Sequence, residues 1–166
     1  MLVRLYDLPD PSPGLAALRE RGIDVRRAIA PEKHVVASWV REHFSEAWAS
    51  ECEVSFARLP ISCLVAQRGQ DIVGFACYDA TAKAFFGPTG VLERERKQGI
   101  GTALLLVTLG AMAGEGYAYG IIGGVGPAEF YATAVGAVPI AGSTPGIYAG
   151  LLRGGGAPRQ KAPDRP

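Results

Sequence analysis

Two glycines, Gly99 and Gly101, flank Ile100 at the threshold of an apolar run from Thr102 to Ala113, directly after a charged turn carrying Arg94, Arg96 and Lys97. If the run is a helix, the backbone N–H groups of its first turn have no intrahelical acceptor. Together with the helix dipole they form a site for phosphate oxygens. Glycine at both positions removes the side chains that would hold such a group at a distance. The three cations add charge at the same place. The chemistry on offer is grip on a phosphate-bearing ligand, although a tight turn with close helix packing uses glycines in the same way. Two nucleotide motifs are excluded. A dinucleotide fingerprint needs a third small residue where Leu104 stands, and a phosphate-binding loop of the Walker type needs a lysine where Thr102 follows Gly101.

The elements that must position this turn follow from hydrophobic spacing. Val3 to Leu8 reads as a short extended piece stopped by Pro9, Pro11 and Pro13, and Leu15 to Arg21 as a short helix ended by Gly22. Ile23 to Ile29 reads as a strand. Val36, Trp39, Val40 and Phe44 recur at helical spacing after Pro31, and Ser45 can cap a second helix with Trp48, Cys52 and Phe56 on one face. Ser62 to Ala66, Ile72 to Tyr78 and Ala84 to Leu92 are β-rich runs separated by turns short enough for antiparallel hairpins. A helix from about Gly101 to Ala113 follows, then an apolar and therefore central strand from Tyr117 to Gly123. Pro127 opens a helix that Gly136 closes. Ala137 to Ile140 and Ile147 to Leu152 read as a last pair of strands. This order predicts one mixed α/β (α+β) domain over residues 1–153, with helices covering a largely antiparallel sheet, and a disordered tail over 154–166.

Composition narrows the function. With 17 Lys and Arg against 16 Asp and Glu, the net charge is +1, so a dedicated nucleic-acid binder is not expected. Cys52, Cys63 and Cys77 form no C-x-x-C pair and are too scattered for a disulfide framework, so each is expected in the core as a small hydrophobe and no metal is expected. Neither a signal peptide nor an apolar stretch of bilayer length is apparent, which predicts a cytoplasmic protein without a membrane partner.

Arg96-Lys97-Gln98-Gly99-Ile100-Gly101 resembles the pyrophosphate loop of the GNAT superfamily of N-acetyltransferases, which reads Arg or Gln, two residues, Gly, one residue, then Gly or Ala. The surrounding order matches too: a meander of strands before the loop, a helix after it, then a strand and a helix. The resemblance covers roughly Asp24 to Leu152. It implies a GNAT-like sheet with helices on both faces and two strands splayed at an acetyl-CoA site. It places pantetheine against the backbone at Val91 and the pyrophosphate at Arg96, Lys97, Gln98, Gly99, Ile100, Gly101 and Thr102. The implied reaction is direct attack, in a ternary complex, of a primary amine of a small molecule, amino acid or peptide on acetyl-CoA. The alternative is a non-catalytic acyl-CoA sensor of the same fold. The family allows a homodimer, and nothing in the sequence decides it.

Many members protonate the departing thiolate with a tyrosine early in the helix after the fifth core strand, and Tyr131 in Phe130-Tyr131 stands at that place. The asparagine that many members carry near the start of this helix is missing from Gly124-Val125-Gly126. Members often carry a basic glutamate on the fourth strand, but Phe85 to Gly90 holds no carboxylate. Glu93 and Asp79 are the nearest candidates, each also readable as a solvated turn charge, and a chain of waters is an equal alternative. His34 and His43 lie on an early helix without a legible partner. Trp39, Trp48, Phe85, Phe86 and Tyr148 are candidates for the acceptor wall, with burial in the core as the competing reading for each.

Overall fold

The computed structural model describes residues 1–152; Arg153 and the tail expected to be disordered, 154–166, lie outside the described residues. The elements are β1 (Leu2–Arg4), α1 (Ser12–Arg19), β2 (Ile23–Arg27), α2 (Lys33–His43), α3 (Glu46–Ser55), β3 (Cys63–Arg68), β4 (Asp71–Tyr78), β5 (Phe85–Val91), α4 (Ile100–Gly114), β6 (Tyr119–Ile122) and α5 (Ala128–Val135). The strands form one sheet in the order β1-β6-β5-β4-β3-β2. Every pairing is antiparallel except β5 with β6. No helix among the described residues is long and apolar enough to cross a membrane.

Alternation along the central strands explains the two layers. On β3, Leu64 and Ala66 face a core built with Leu104, Leu105 and Leu109 of α4, while Cys63 and Val65 face a second core shared with Val36 and Val40 of α2 and Cys52 of α3. Side chains on successive strand residues point to opposite faces, so a strand buried on both must be apolar throughout. That is why β3 and β4 read as unbroken hydrophobic runs. Ser45 caps α3, its hydroxyl accepting from the Trp48 N–H at 3.1 Å. Gly136 ends α5 at a left-handed φ of 61°.

The last expected strand pair does not form. Val138 makes an isolated antiparallel bridge to Leu2, and Gly146–Tyr148 is a single tight helical turn. Pro139 inside the first run cannot donate to a ladder. The apolar residues Ile147, Leu151 and Leu152 of the second are exposed rather than packed against a sheet. The first strand is also shorter than expected, with Leu5–Asp7 turning away from the sheet as a 3-10 turn.

Candidate active site

β5 and β6 pair only at Phe85 with Ile121 and Phe86 with Ile122. Between its partners to Tyr78 and Ala76, β5 carries two residues, Gly87 and Pro88, where β4 carries only Cys77. This is a bulge, and bulges bend the strand that holds them. From Gly87 onward β5 keeps β4 on one side and has no strand on the other. A cleft of about 750 Å³ opens along that free edge, between Thr89, Val91, Thr102 of α4, and Phe130 and Tyr131 of α5.

The glycine-bearing turn forms one end of the cleft. Gly99 precedes α4 with φ 84°, a conformation that side chains disfavour, and its carbonyl accepts from Ala103 N–H at 3.0 Å. The N–H groups of Ile100, Gly101 and Thr102 therefore have no acceptor within the helix. A Cβ on Gly101 would come no nearer than 3.8 Å to Val91 and 3.9 Å to Phe130. Packing does not call for glycine at this position, and a side chain there would occupy the cleft. The turn is fixed from outside: Arg21 donates to the Gln98 carbonyl at 2.7 Å, and Arg68 pairs with Glu95 at 2.7 Å.

Val91, Arg96, Lys97, Gly99, Gly101 and Thr102 all line the cleft. Gln98 and Ile100 do not. Ile100 is buried in the core under α4, and the Gln98 amide donates to Glu95 at 3.2 Å, so each presents only backbone to the turn.

A second cavity of about 250 Å³ continues from the first, and Trp48, Phe86, Thr89, Pro127 and Tyr131 line both. Tyr131 thus stands where the two meet. Burial pushes its phenol above the usual tyrosine range. Glu51 of α3, Thr81 of the β4–β5 turn and Tyr148 line the second cavity but not the first. The Thr81 hydroxyl donates to Glu51. Burial, then the negative charge of Glu51, raises the Tyr148 phenol, with the Thr81 hydroxyl opposing.

The two carboxylates singled out from sequence lie elsewhere. Asp79 is buried beside the β4–β5 turn, where it accepts from Arg58 at 2.8 Å, Ala84 N–H at 2.7 Å and the Tyr117 hydroxyl at 2.7 Å. It lines neither cavity. Glu93 is exposed in a groove with His43, Arg94 and Arg96, which shares Phe44, Val91 and Arg96 with the cleft. The carboxylate in the second cavity, Glu51, escaped sequence reasoning. Its signal was helical spacing, since it lies one turn after Trp48. Trp39 and Phe85 line neither of the two cavities, whereas Trp48, Phe86 and Tyr148 do.

The cysteines are all buried and free. Their sulfurs nevertheless lie within 4.8 Å of one another, a trio of soft ligands that the spacing in the sequence did not suggest. Burial pushes the Cys77 thiol well up. The three side chains fill the same apolar layer as Val65 and Phe75.

A mixed sheet splayed beside a phosphate-type turn, with a tyrosine at the base of the gap, defines the acyl-CoA-dependent acetyltransferase class. Residues 33–134 match the Acetyltransferase (GNAT) family, and the chain belongs to it. The family uses acetyl-CoA. Among solved structures, the fold is similar to a GCN5-related glucosamine N-acetyltransferase region of a fungal multi-domain GH3 β-N-acetylglucosaminidase, with TM-score 0.65 and 14% identity over 81% of this chain and 19% of that one. It is also similar to a GCN5-related N-acetyltransferase from Sphaerobacter thermophilus, with TM-score 0.51 and 22% identity over 68% of this chain and 40% of that one. The chain spans well under half the length of either. No curated protein matches its sequence.

Proposed function

We propose that this protein is an N-acetyltransferase that moves the acetyl group of acetyl-CoA to a primary amine by direct attack in a ternary complex. The observation that carries this is the continuity of the two cavities through Tyr131. A cofactor lying in the first would present its thioester where an acceptor in the second can reach it. In this reading the N–H groups from Gly99 to Thr102 hold the pyrophosphate, helped by Arg96 and Lys97. Pantetheine runs along the free edge of β5 near Val91. The amine first loses a proton, which in this reading passes to water. The neutral nitrogen then attacks the acetyl carbon, the C–S bond breaks, Tyr131 donates its proton to the departing thiolate, and the proton that the nitrogen sheds on becoming an amide restores the phenol. Its raised affinity for that proton keeps it in the donor form at neutral pH.

A thiol-release assay with acetyl-CoA and a panel of amines, amino acids and peptides tests the reading. Release that depends on an acceptor supports it. Tight coenzyme A binding with no release from any acceptor would leave a sensor instead.

A further inference from the structure

The second cavity differs from the cofactor cleft in the chemistry of its walls. Its body is aromatic, with Trp48, Phe86, Tyr131 and Tyr148, and at about 250 Å³ it is smaller than pockets for drug-sized ligands. The formal charge among its lining residues is that of Glu51, and no Arg, Lys or His lines it. Position matters as much as sign. Trp48, Phe86 and Tyr131 also line the cofactor cleft, so they mark the junction where the thioester would arrive. Glu51, Thr81 and Tyr148 line the second cavity and not the cofactor cleft, so they lie away from that junction. Thr81 holds Glu51 in place with a hydrogen bond, and the Glu51 charge is felt at the Tyr148 phenol.

We infer that the acceptor is a compact diamine without a carboxylate: one amino group reacts at the Tyr131 junction while a second, as ammonium, pairs with Glu51 away from that junction, between aromatic faces. A cation beside aromatic rings and a carboxylate is favoured twice, by the ring quadrupole and by charge pairing. A substrate carboxylate would meet Glu51 with no cationic residue to receive it. Free amino acids are therefore disfavoured, which narrows the acceptor beyond a primary amine. The fate of the amine rests on the transferase reading; the preference in binding does not.

The test separates the two. 1,4-Diaminobutane, 1-aminobutane and ornithine share one carbon chain and differ in the second ammonium or the carboxylate. Calorimetry of each into the protein saturated with coenzyme A reads the pocket without turnover, and thiol release reads the chemistry. The diamine should bind at least roughly tenfold more tightly than the monoamine and than ornithine, the size expected for a partly desolvated ion pair. In Glu51→Gln the ratio of diamine to monoamine affinity should fall towards one, with a coenzyme A titration of the same variant reporting that the fold is kept. Equal affinities in the wild type, or a ratio unmoved by Glu51→Gln, overturns the inference even if thiol is released. Absence of thiol release with the diamine preference intact removes the transferase reading and leaves the pocket assignment standing.

Discussion

Gly101→Val separates grip on the cofactor from integrity of the fold. A Cβ at this position meets nothing closer than 3.8 Å, an ordinary contact, and the residue lies in the first turn of α4, where the backbone accepts a side chain. Valine is a better helix former than glycine by a few tenths of a kcal/mol. Thermal unfolding without ligand should therefore be unchanged or slightly higher. The branched side chain, however, extends between Val91 and Phe130 into the cleft and keeps phosphate oxygens from the N–H groups of the turn. A hydrogen bond to a charged group contributes about 1.5–3 kcal/mol. Losing one weakens coenzyme A binding by roughly 10- to 150-fold. Calorimetry with coenzyme A measures this directly. A folded variant with wild-type affinity would show that the diphosphate is held elsewhere, and the reasoning about the turn would be wrong.

Tyr131→Phe should lower kcat by roughly 10²-fold or more, the usual span for general acid catalysis, while leaving coenzyme A affinity near that of the wild type. Because burial raises the phenol, the donor form persists past the ordinary tyrosine value of 10.0, so any decline in kcat owed to its ionisation belongs above that pH. A fall below pH 9 that disappears in Tyr131→Phe would contradict this assignment. Asp79→Asn tests the structural role seen for that residue: removing the charge leaves Arg58 without one of its partners and should cost roughly 3 kcal/mol in denaturant unfolding. A variant as stable as the wild type but devoid of turnover would return Asp79 to the chemistry.

Much of the fold was legible because the central strands β3 and β4 are buried on both faces. The runs at Cys63 to Arg68 and Asp71 to Tyr78 are apolar enough to read as strands without any tertiary information, and Ser45, Gly99 and Gly136 mark element ends through local backbone chemistry. The segment after Ala137 misled because its apolar residues look like strands, whereas Pro139 stops the pairing with β1 after the single bridge at Val138 and most of them stay exposed. Asp79 and Glu93 were chosen by proximity along the chain to the expected site. Proximity along the chain says nothing about which side of a hairpin a carboxylate faces, and Asp79 turned inward to Arg58 and Tyr117.

The sequence by itself determined the glycine-bearing turn at the start of α4 and the order of elements around it, because both depend on neighbours within a few residues. Tertiary structure alone decided where β5 parts from β6, just after Phe86, the meeting of the three cysteine sulfurs, and the arrival of Glu51, Thr81 and Tyr148 around one cavity. Each of these joins residues far apart in the chain through helix packing and strand register, and such contacts leave no local pattern to read.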